Sequence, residues 1–204
     1  MLYTLLLLAL SPTTSVEQAV QHALAADSLA ARQTMLVPFR EEIDRAAAKY
    51  TLPSSLIAGV IQEESRFDEW ATRSEPGYLA NKRIRHEAIR WARVHPGSAT
   101  ALTELNDRSR SYGLMQIMGE TARQQGCSMR FLAELYMPDS AIDHGARLLK
   151  RLILRYHGDT LSAISAYNQG SARKRRGTFA NARYVYRVTV AWRAYDTLFR
   201  KGDE

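Results

Sequence analysis

The sequence predicts a mainly helical fold with one small β element. Apolar residues recur at helical spacing through most of the chain, and the only strand-like run lies at residues 112–117. With 204 residues, the chain is long enough for one domain with its own core plus extensions. The main helices are expected at residues 37–50, 53–65, 138–156, 159–168 and 178–199.

The stretch before the strand-like run has its own pattern. Pro-Gly pairs at 76–77 and 96–97 predict turns, and helices are expected at 81–93 and 98–105. The first of these helices carries a basic face, formed by Lys82, Arg83, Arg90 and Arg93. We therefore divide the chain into an N-terminal hydrophobic segment and arm at 1–36 and a domain at 37–204, with an inserted basic helical region at about 68–110.

Charge and cysteine content limit the function classes. The formal net charge is +7 and the pI about 9.7, which favours a polyanionic partner such as nucleic acid, anionic lipid or a wall polymer. The single cysteine, Cys127, excludes an intrachain disulfide and a paired-thiol redox site. No His/Cys cluster indicates a metal, and no cofactor is expected.

The N-terminal segment begins with an apolar run from Leu2 to Leu10, interrupted by Thr4. The run is shorter than the ~20 residues that a membrane-spanning helix needs. It suits the apolar part of an export signal, with a small-residue site at 23–25, although no Lys or Arg precedes it. The alternative is a retained hydrophobic arm that packs on a partner or enters a membrane surface.

An apolar helix that ends in acidic residues supplies the first candidate for chemistry. Glu63 and Glu64 are about 100° apart on a helix, so they cannot both face inward. Glu64 follows Val60 and Ile61 by four and three residues, which places it on the apolar face. Desolvation there raises a carboxyl pKa, as a general acid near neutral pH requires. The alternative is that both are solvated surface acids.

Three further motifs carry polar groups that could border a cleft. Residues 111–118, Ser-Tyr-Gly-Leu-Met-Gln-Ile-Met, combine a glycine that permits close backbone approach with a glutamine amide beside apolar neighbours. Residues 166–170, Ala-Tyr-Asn-Gln-Gly, form a helix end closed by glycine. The last motif is Tyr-Val-Tyr-Arg-Val at 184–188. Taken singly, each is also explained by capping or core packing.

Together and in this order, Glu-Ser-x-Phe, Gly-Leu-Met-Gln, Ala-Tyr-Asn-x-Gly and Tyr-Val-x-x-Val resemble the catalytic domain of the soluble lytic transglycosylases, in the goose-type lysozyme-like superfamily. The resemblance covers roughly residues 38–195 and implies an α+β lysozyme-like fold and peptidoglycan glycan strands as substrate. It implies Glu64 as the catalytic acid/base, and a strand at 113–116 on the cleft floor. The implied substrate-binding residues are Ser65, Ser111, Gly113, Leu114, Met115, Gln116, Tyr167, Asn168 and Tyr184.

The resemblance also implies a reaction with a single carboxylate. Glu64 would protonate the oxygen between N-acetylmuramic acid and N-acetylglucosamine, and the muramoyl C6 hydroxyl would close a 1,6-anhydro ring. The alternative is a goose-type muramidase, a hydrolase in which Asp107, or else Asp68, activates water as the second carboxylate. Three departures from the family pattern are the insertion, Ala141 in place of asparagine and Gly119 in place of proline.

A protein of another class is the second alternative. The basic runs 82–93 and 173–176 would suit a structural virion protein or one that binds nucleic acid, although both can also be solvated faces. For an enzyme, the N-terminal segment and the basic insertion could join a protein assembly. The expected location is the cell envelope or periplasm, reached by export or carried in by a virion. Wall remodelling, wall opening by a secretion or conjugation machine, and wall penetration by a bacteriolytic phage virion all fit, and we favour a machine-associated role.

Overall fold

The computed structural model describes residues 37–201, so the hydrophobic segment and arm expected at 1–36 lie outside the described residues. The helices are α1 (Arg40–Tyr50), α2 (Ser54–Glu64), α3 (Pro76–Leu79), α4 (Lys82–Val94), α5 (Ala101–Arg108), α6 (Gly119–Gln124), a 3-10 helix (Leu132–Tyr136), α7 (Pro138–Arg155), α8 (Thr160–Gln169) and α9 (Ala182–Lys201). The strands are β1 (Thr72–Ser74), β2 (Arg110–Tyr112), β3 (Ile117–Met118), β4 (Lys174–Arg175) and β5 (Thr178–Phe179). The predicted mainly helical, lysozyme-like α+β class is confirmed. In this part of the chain, no helix has the length and apolar content needed to cross a membrane.

Helix α2 lies at the centre of the hydrophobic core. It begins after Pro53, whose backbone is extended, and every residue from Ser55 to Ile61 is buried. A helix that is buried on all sides must be enclosed by other elements, and α9 packs directly against it. A Cβ added at Gly59 would lie 2.7 Å from the backbone nitrogen of Trp192, so this glycine lets the two helices approach closely.

The main sheet joins β1, β2 and β3 in antiparallel order. Its register pairs Tyr112 of β2 with Thr72 of β1 and with Ile117 of β3. Residues 113–116 form the turn between β2 and β3, so the strand expected at these positions is wrong. Gly113 and Gln116 have φ of 63° and 47°, a left-handed backbone that an extended strand does not allow. Glycine is required at the first position, because an added Cβ would lie 2.6 Å from the carbonyl oxygen of Leu135.

Helices α3, α4 and α5 form an excursion between β1 and β2. The chain leaves β1 at Ser74 and returns to β2 at Arg110, which is its partner in the sheet. Asn81 caps α4 by accepting hydrogen bonds from two backbone amides, and Thr100 caps α5. The sequence had indicated a helix start at residue 98. Because Thr100 is the cap, α5 begins after it, at Ala101.

Four buried charged side chains attach the excursion to α6. Glu104, which is fully buried, accepts hydrogen bonds from Arg108 at 2.9 Å and from Arg123 at 2.8 and 2.9 Å. Arg108 also donates to Glu120 at 2.8 Å. Trp91 of α4 stacks on Arg123, whose guanidinium carbon lies 3.6 Å from the centroid of the indole ring. We call Glu104, Arg108, Glu120 and Arg123 the ion-pair network.

The basic face expected on α4 is partly engaged in ion pairs. Arg83 pairs with Glu120 at 3.0 Å, and Arg90 pairs with the glutamate one turn before it. Lys82 and Arg93 are exposed. Two of the four cations therefore have acidic partners within the protein, and a contact of this face with wall polymer or a protein stays a prediction.

Two departures from the family pattern have packing reasons. A Cβ at Gly119 would lie 2.3 Å from the carbonyl oxygen of Asp107, so the close approach of α5 to α6 depends on this glycine. Ala141 is fully buried, and its methyl group faces the turn, 3.2 Å from where a Cβ on Gly113 would be. The close packing around both positions therefore favours small residues there.

A hairpin shifts the start of the last helix. Strands β4 and β5 pair antiparallel, and Arg176 and Gly177 form the turn between them with φ of 51° and 80°. Two residues with positive φ are the usual connection of a tight hairpin, because their twist matches that of the strands. Helix α9 therefore begins at Ala182 and not at residue 178.

Candidate active site

Glu64 is the last residue of α2, at the edge of the core that this helix builds. Tyr184, near the start of α9, donates a hydrogen bond from its hydroxyl to Oε1 of Glu64 at 2.6 Å. Tyr184 is 7% exposed, whereas Glu64 is half-buried and reaches the surface. The packing of α2 against α9 therefore holds the carboxyl and the hydroxyl in one geometry.

The environment of Glu64 alters its acidity. Burial raises the pKa of the carboxyl from its ordinary 4.5 to about 7. The hydrogen bond from Tyr184 and the charge of Arg73 oppose this rise, whereas the charge of Glu63 adds to it. A carboxyl with a pKa near 7 is protonated in about half of the molecules at neutral pH, so it can donate a proton and take one back.

The adjacent Glu63 has a different environment. It forms an ion pair with Arg187 of α9, and its side chain is 16% exposed. Burial raises the pKa of Glu63, while the hydrogen bond and charge of Arg187 lower it. The interpretation of both acids as solvated surface residues is therefore wrong for the pair, because α9 covers both.

The chain reverses direction directly after Glu64. Ser65 is the C-cap of α2, and its backbone N–H and hydroxyl both donate to the carbonyl oxygen of Ile61, at 3.0 and 3.3 Å. Arg66 and Phe67 follow with φ of 57° and 64°, a left-handed pair that is uncommon for residues with a Cβ. This backbone is costly unless its surroundings enforce it, and it leaves Glu64 at a helix end instead of inside a longer helix.

The turn at 113–116 is bonded to the segment that follows Glu64. The backbone N–H of Gly113 and the side-chain amide of Gln116 both donate to the carbonyl oxygen of Ala71, each at 2.9 Å. The hydroxyl of Ser111 donates to Oε1 of Gln116 at 2.8 Å, which fixes the orientation of the amide. Ser111, Gly113 and Gln116 thus hold the turn in place against the β1 segment.

Leu114 and Met115 contribute buried side chains and, at Met115, a backbone hydrogen-bond acceptor. Both side chains are fully buried, and Met115 packs so closely on Gly145 of α7 that an added Cβ would lie 2.3 Å from its sulfur. The carbonyl oxygen of Met115 accepts a hydrogen bond from the hydroxyl of Tyr167 at 2.8 Å. Burial and the charge of Glu64 raise the pKa of Tyr167, so this hydroxyl keeps its proton near the carboxyl.

Asn168, at the end of α8, is exposed. Its side-chain oxygen accepts a hydrogen bond from Nδ2 of Asn181 at 3.1 Å. Asn181, just before α9, also donates to the carbonyl oxygen of Ser165 at 3.0 Å and accepts from its hydroxyl at 2.7 Å. Asn181 therefore joins the helix of Tyr167 and Asn168 to the helix of Tyr184. Asn181 is absent from the site residues expected from the sequence, although an asparagine before a helix start is a recognisable signal.

Asp107, the second carboxylate of the hydrolase alternative, lies on α5 among other groups. Burial raises its pKa, and the neighbours that act on it most strongly are Tyr112 and Glu104. Asp68, the other candidate, is exposed and accepts a hydrogen bond from a backbone amide two residues ahead.

Two residues near these groups carried no signal in the sequence. Arg73 of β1 acts on the charge of Glu64. Trp70 is 68% exposed, its ring lies 5.6 Å from that of Tyr136, and it immediately precedes Ala71, which holds the turn. A single arginine or tryptophan in an irregular segment has no periodicity, so only the folded chain brings it to the site.

The arrangement supplies a carboxyl that can be protonated or ionised near neutral pH, a tyrosine hydroxyl bonded to it, and an exposed amide at Asn168. These groups suit acid–base cleavage of a bond whose leaving oxygen needs a proton. Among residues 37–201, no three His, Cys, Asp or Glu side chains are grouped as metal ligands would be.

Comparison with known proteins agrees with this chemistry. The family model described as the transglycosylase SLT domain matches residues 41–184, which run from α1 to Tyr184 and include the first three motifs and the tyrosine that opens the fourth. A comparison with curated proteins gives no match. The match covers well over half of the chain, which therefore belongs to the transglycosylase SLT family and is a peptidoglycan lytic transglycosylase, a glycan-cleaving lyase of the lysozyme-like fold.

Proposed function

We propose that this enzyme cleaves the β-1,4 bond between N-acetylmuramic acid and N-acetylglucosamine and leaves a 1,6-anhydromuramoyl end, with Glu64 as both acid and base. The observation that carries the proposal is the half-buried Glu64, whose pKa is raised to about 7 and whose carboxyl is bonded to Tyr184. The neighbouring acid, Glu63, is paired with Arg187 and so is not available as a second proton carrier.

The reaction has two steps. Protonated Glu64 donates to the glycosidic oxygen, the bond from that oxygen to the muramoyl C1 breaks, and the N-acetylglucosamine leaves as an alcohol. The acetamido oxygen of the substrate bonds to C1 and takes up the positive charge. Ionised Glu64 then removes the proton of the C6 hydroxyl, whose oxygen attacks C1 and releases the acetamido group. Glu64 ends protonated, as it began, and no water is consumed.

The neighbouring groups have supporting roles in this proposal. The hydroxyl of Tyr184 stabilises the carboxylate between the two steps, because a hydrogen bond to a charged acceptor favours the charged form. Asn168, held by Asn181, orients the acetamido group. Ser65, Ser111, Gly113 and Gln116 shape the substrate groove by holding the chain on either side of Glu64.

Hydrolysis by a second carboxylate receives less support. An inverting hydrolase needs a carboxylate about 6.5–9.5 Å from the acid to activate water. Asp107 belongs to α5 and has Tyr112 and Glu104 as neighbours, whereas Glu64 ends α2 and is bonded to Tyr184; this difference in surroundings favours the single-carboxylate reaction.

Mass analysis of the soluble muropeptides tests the proposal. Purified peptidoglycan is digested to completion, and the products are analysed before and after borohydride reduction. We expect anhydro ends, which are lighter by one water than hydrolytic ends and resist reduction. Reducing ends from the unmodified enzyme would contradict the proposed reaction and favour a muramidase.

A further inference from the structure

The β4–β5 hairpin carries four successive cations, Arg173, Lys174, Arg175 and Arg176, and all four are exposed. The tight turn and the antiparallel pairing fix their spacing. Among the ion pairs formed within residues 37–201, none involves these four side chains. Within the described part of the chain, the hairpin therefore presents a compact positive charge without an ion-pair partner.

The two faces of the hairpin differ. Lys174 is opposite Phe179 and lies 4.6 Å above its ring. The pKa of Asp159 is lowered chiefly by its hydrogen bonds with Ser162, and the charge of Lys174 adds to this effect. Phe179 packs against the main core, so this face is turned toward the protein. Neighbouring residues of a strand point to opposite sides, and Arg175 therefore points outward, next to Arg176 at the turn.

The hairpin is also continuous with the active site. It follows α8, whose last turn carries Tyr167 and Asn168, and it leads into α9, which carries Tyr184. Asn181 at its base bonds Asn168 at 3.1 Å, and Gln169 donates to Oδ1 of Asn181 at 3.3 Å. The charge thus lies on a segment that is hydrogen-bonded at its base to the helix that carries Asn168.

We propose that Arg175 and Arg176 of this hairpin bind the carboxylates of the peptide stems carried by the glycan strand. The inference rests on the proposed function, because it takes peptidoglycan as the polymer in the groove. In the intact polymer the lactyl carboxyl of each muramic acid is amide-linked to its stem peptide, so the sugars themselves carry no charge. The negative charge close to the cleaved bond therefore lies on the stem peptides. A guanidinium group can bind a carboxylate through two parallel hydrogen bonds, and this geometry favours arginine over lysine.

The test compares two substrates. One is intact peptidoglycan fragments. The other is the same glycan strands after an amidase has removed the stems and the lactyl carboxylates that this exposes have been converted to neutral amides. For the double variant Arg175→Gln/Arg176→Gln, we expect KM on stem-bearing strands to rise roughly two- to thirty-fold, as for two exposed ion pairs, with kcat unchanged. On stripped strands the variant and the unmodified enzyme should have equal constants. Added salt should reduce the difference on stem-bearing strands, because exposed pairs are screened.

The matched control is Arg147→Gln/Arg151→Gln, which removes two exposed arginines from α7. It should leave both substrates unaffected, and thermal melting should show that both variants are folded. An equal loss on stem-bearing and stripped strands, no loss on either, or the same loss in the control would each overturn the proposal. An effect confined to oligonucleotide binding would do so too and would assign the hairpin to nucleic acid. Failure of the transglycosylase reaction itself would appear separately, as reducing-end products from every folded variant.

Discussion

Two buried carboxyl sites in this enzyme have opposite surroundings. Glu104 of the ion-pair network is fully buried, and its carboxylate accepts three hydrogen bonds from two guanidinium groups. Glu64 is less buried, yet one tyrosine hydroxyl is the partner bonded to its carboxyl, and its pKa rises to about 7. Burial alone therefore does not make a carboxyl reactive. A buried carboxyl with few hydrogen-bond donors or cations around it keeps a proton near neutral pH and can transfer it. A buried carboxylate that is fully paired with guanidinium groups instead joins two parts of the structure.

The two surroundings follow from the elements that build them. Glu64 ends a helix whose neighbours are apolar, so few groups can stabilise its charge. Glu104 lies in the excursion, where the second hydrophobic cluster contains three buried residues, Ile84, Ala88 and Leu105. So small a cluster contributes little to attachment, and matched charges supply the rest of the contact with α6.

The largest expected effect is on catalysis, from Glu64→Gln. The amide preserves packing but cannot carry a proton, so the rate on purified peptidoglycan should fall by about 10²–10⁴ or more. Turbidity assays measure this loss, and circular dichroism checks the fold. Normal activity in this variant would remove Glu64 from the role of acid.

The same variant also gives a stability test. Because the folded pKa of about 7 exceeds the ordinary 4.5, the unfolded chain loses this proton first as pH rises. The native enzyme should therefore lose stability between about pH 4.5 and 7, with no further loss from this group above pH 7. Relative to it, Glu64→Gln should gain melting temperature across that interval.

The next effect is on stability, from Glu104→Gln. The substitution leaves Arg108 and Arg123 with too little negative charge in a buried site, at a cost of about 3–5 kcal/mol. Denaturant titration measures the loss. The exposed pair between Arg45 and Asp139 provides the control, and Asp139→Asn should cost less than about 1 kcal/mol. If the two variants lost equal free energy of unfolding, the buried ion-pair network would be no more important for stability than an exposed ion pair, and the contrast drawn above would be wrong.

A smaller effect is expected from Tyr184→Phe. The hydroxyl stabilises the carboxylate of Glu64, so its removal should raise the pKa of Glu64 further. The alkaline limb of the pH–rate profile should move to higher pH, with a loss in maximal rate below that of Glu64→Gln. A shift toward lower pH would contradict the assigned hydrogen bond.

The smallest effect is expected from Asp107→Asn. If Glu64 acts alone, the rate should stay within a few-fold and the product should remain anhydro. A loss on the order of 10²–10⁴ would indicate a second catalytic carboxylate. Muropeptide analysis of the variant distinguishes the two outcomes.

The sequence predicted those features that depend on local periodicity. The place of Glu64 on the apolar face follows from residues three and four positions before it. The contact with Tyr184 spans 120 positions, so only the motif order indicated it. The turn at 113–116 was missed because its flanking strands have two or three residues, too few for an alternating pattern, and because the backbone of Gln116 is set by tertiary contacts. The pairing of Arg83 with Glu120 was not predicted either, because Arg83 lies in a basic run and its partner is 37 positions away in the sequence.

The pairing of Ser74 with Arg110 makes the β1–β2 connection an attachment point of variable length. Since the chain departs and returns at adjacent positions, the closure entropy of whatever lies between changes only slowly with its length. Related chains could therefore carry a short turn or a larger module in place of the excursion while the β1–β2 pairing is kept. An engineer shortening it would have to neutralise Glu120 and Arg123 together, because each would lose buried partners.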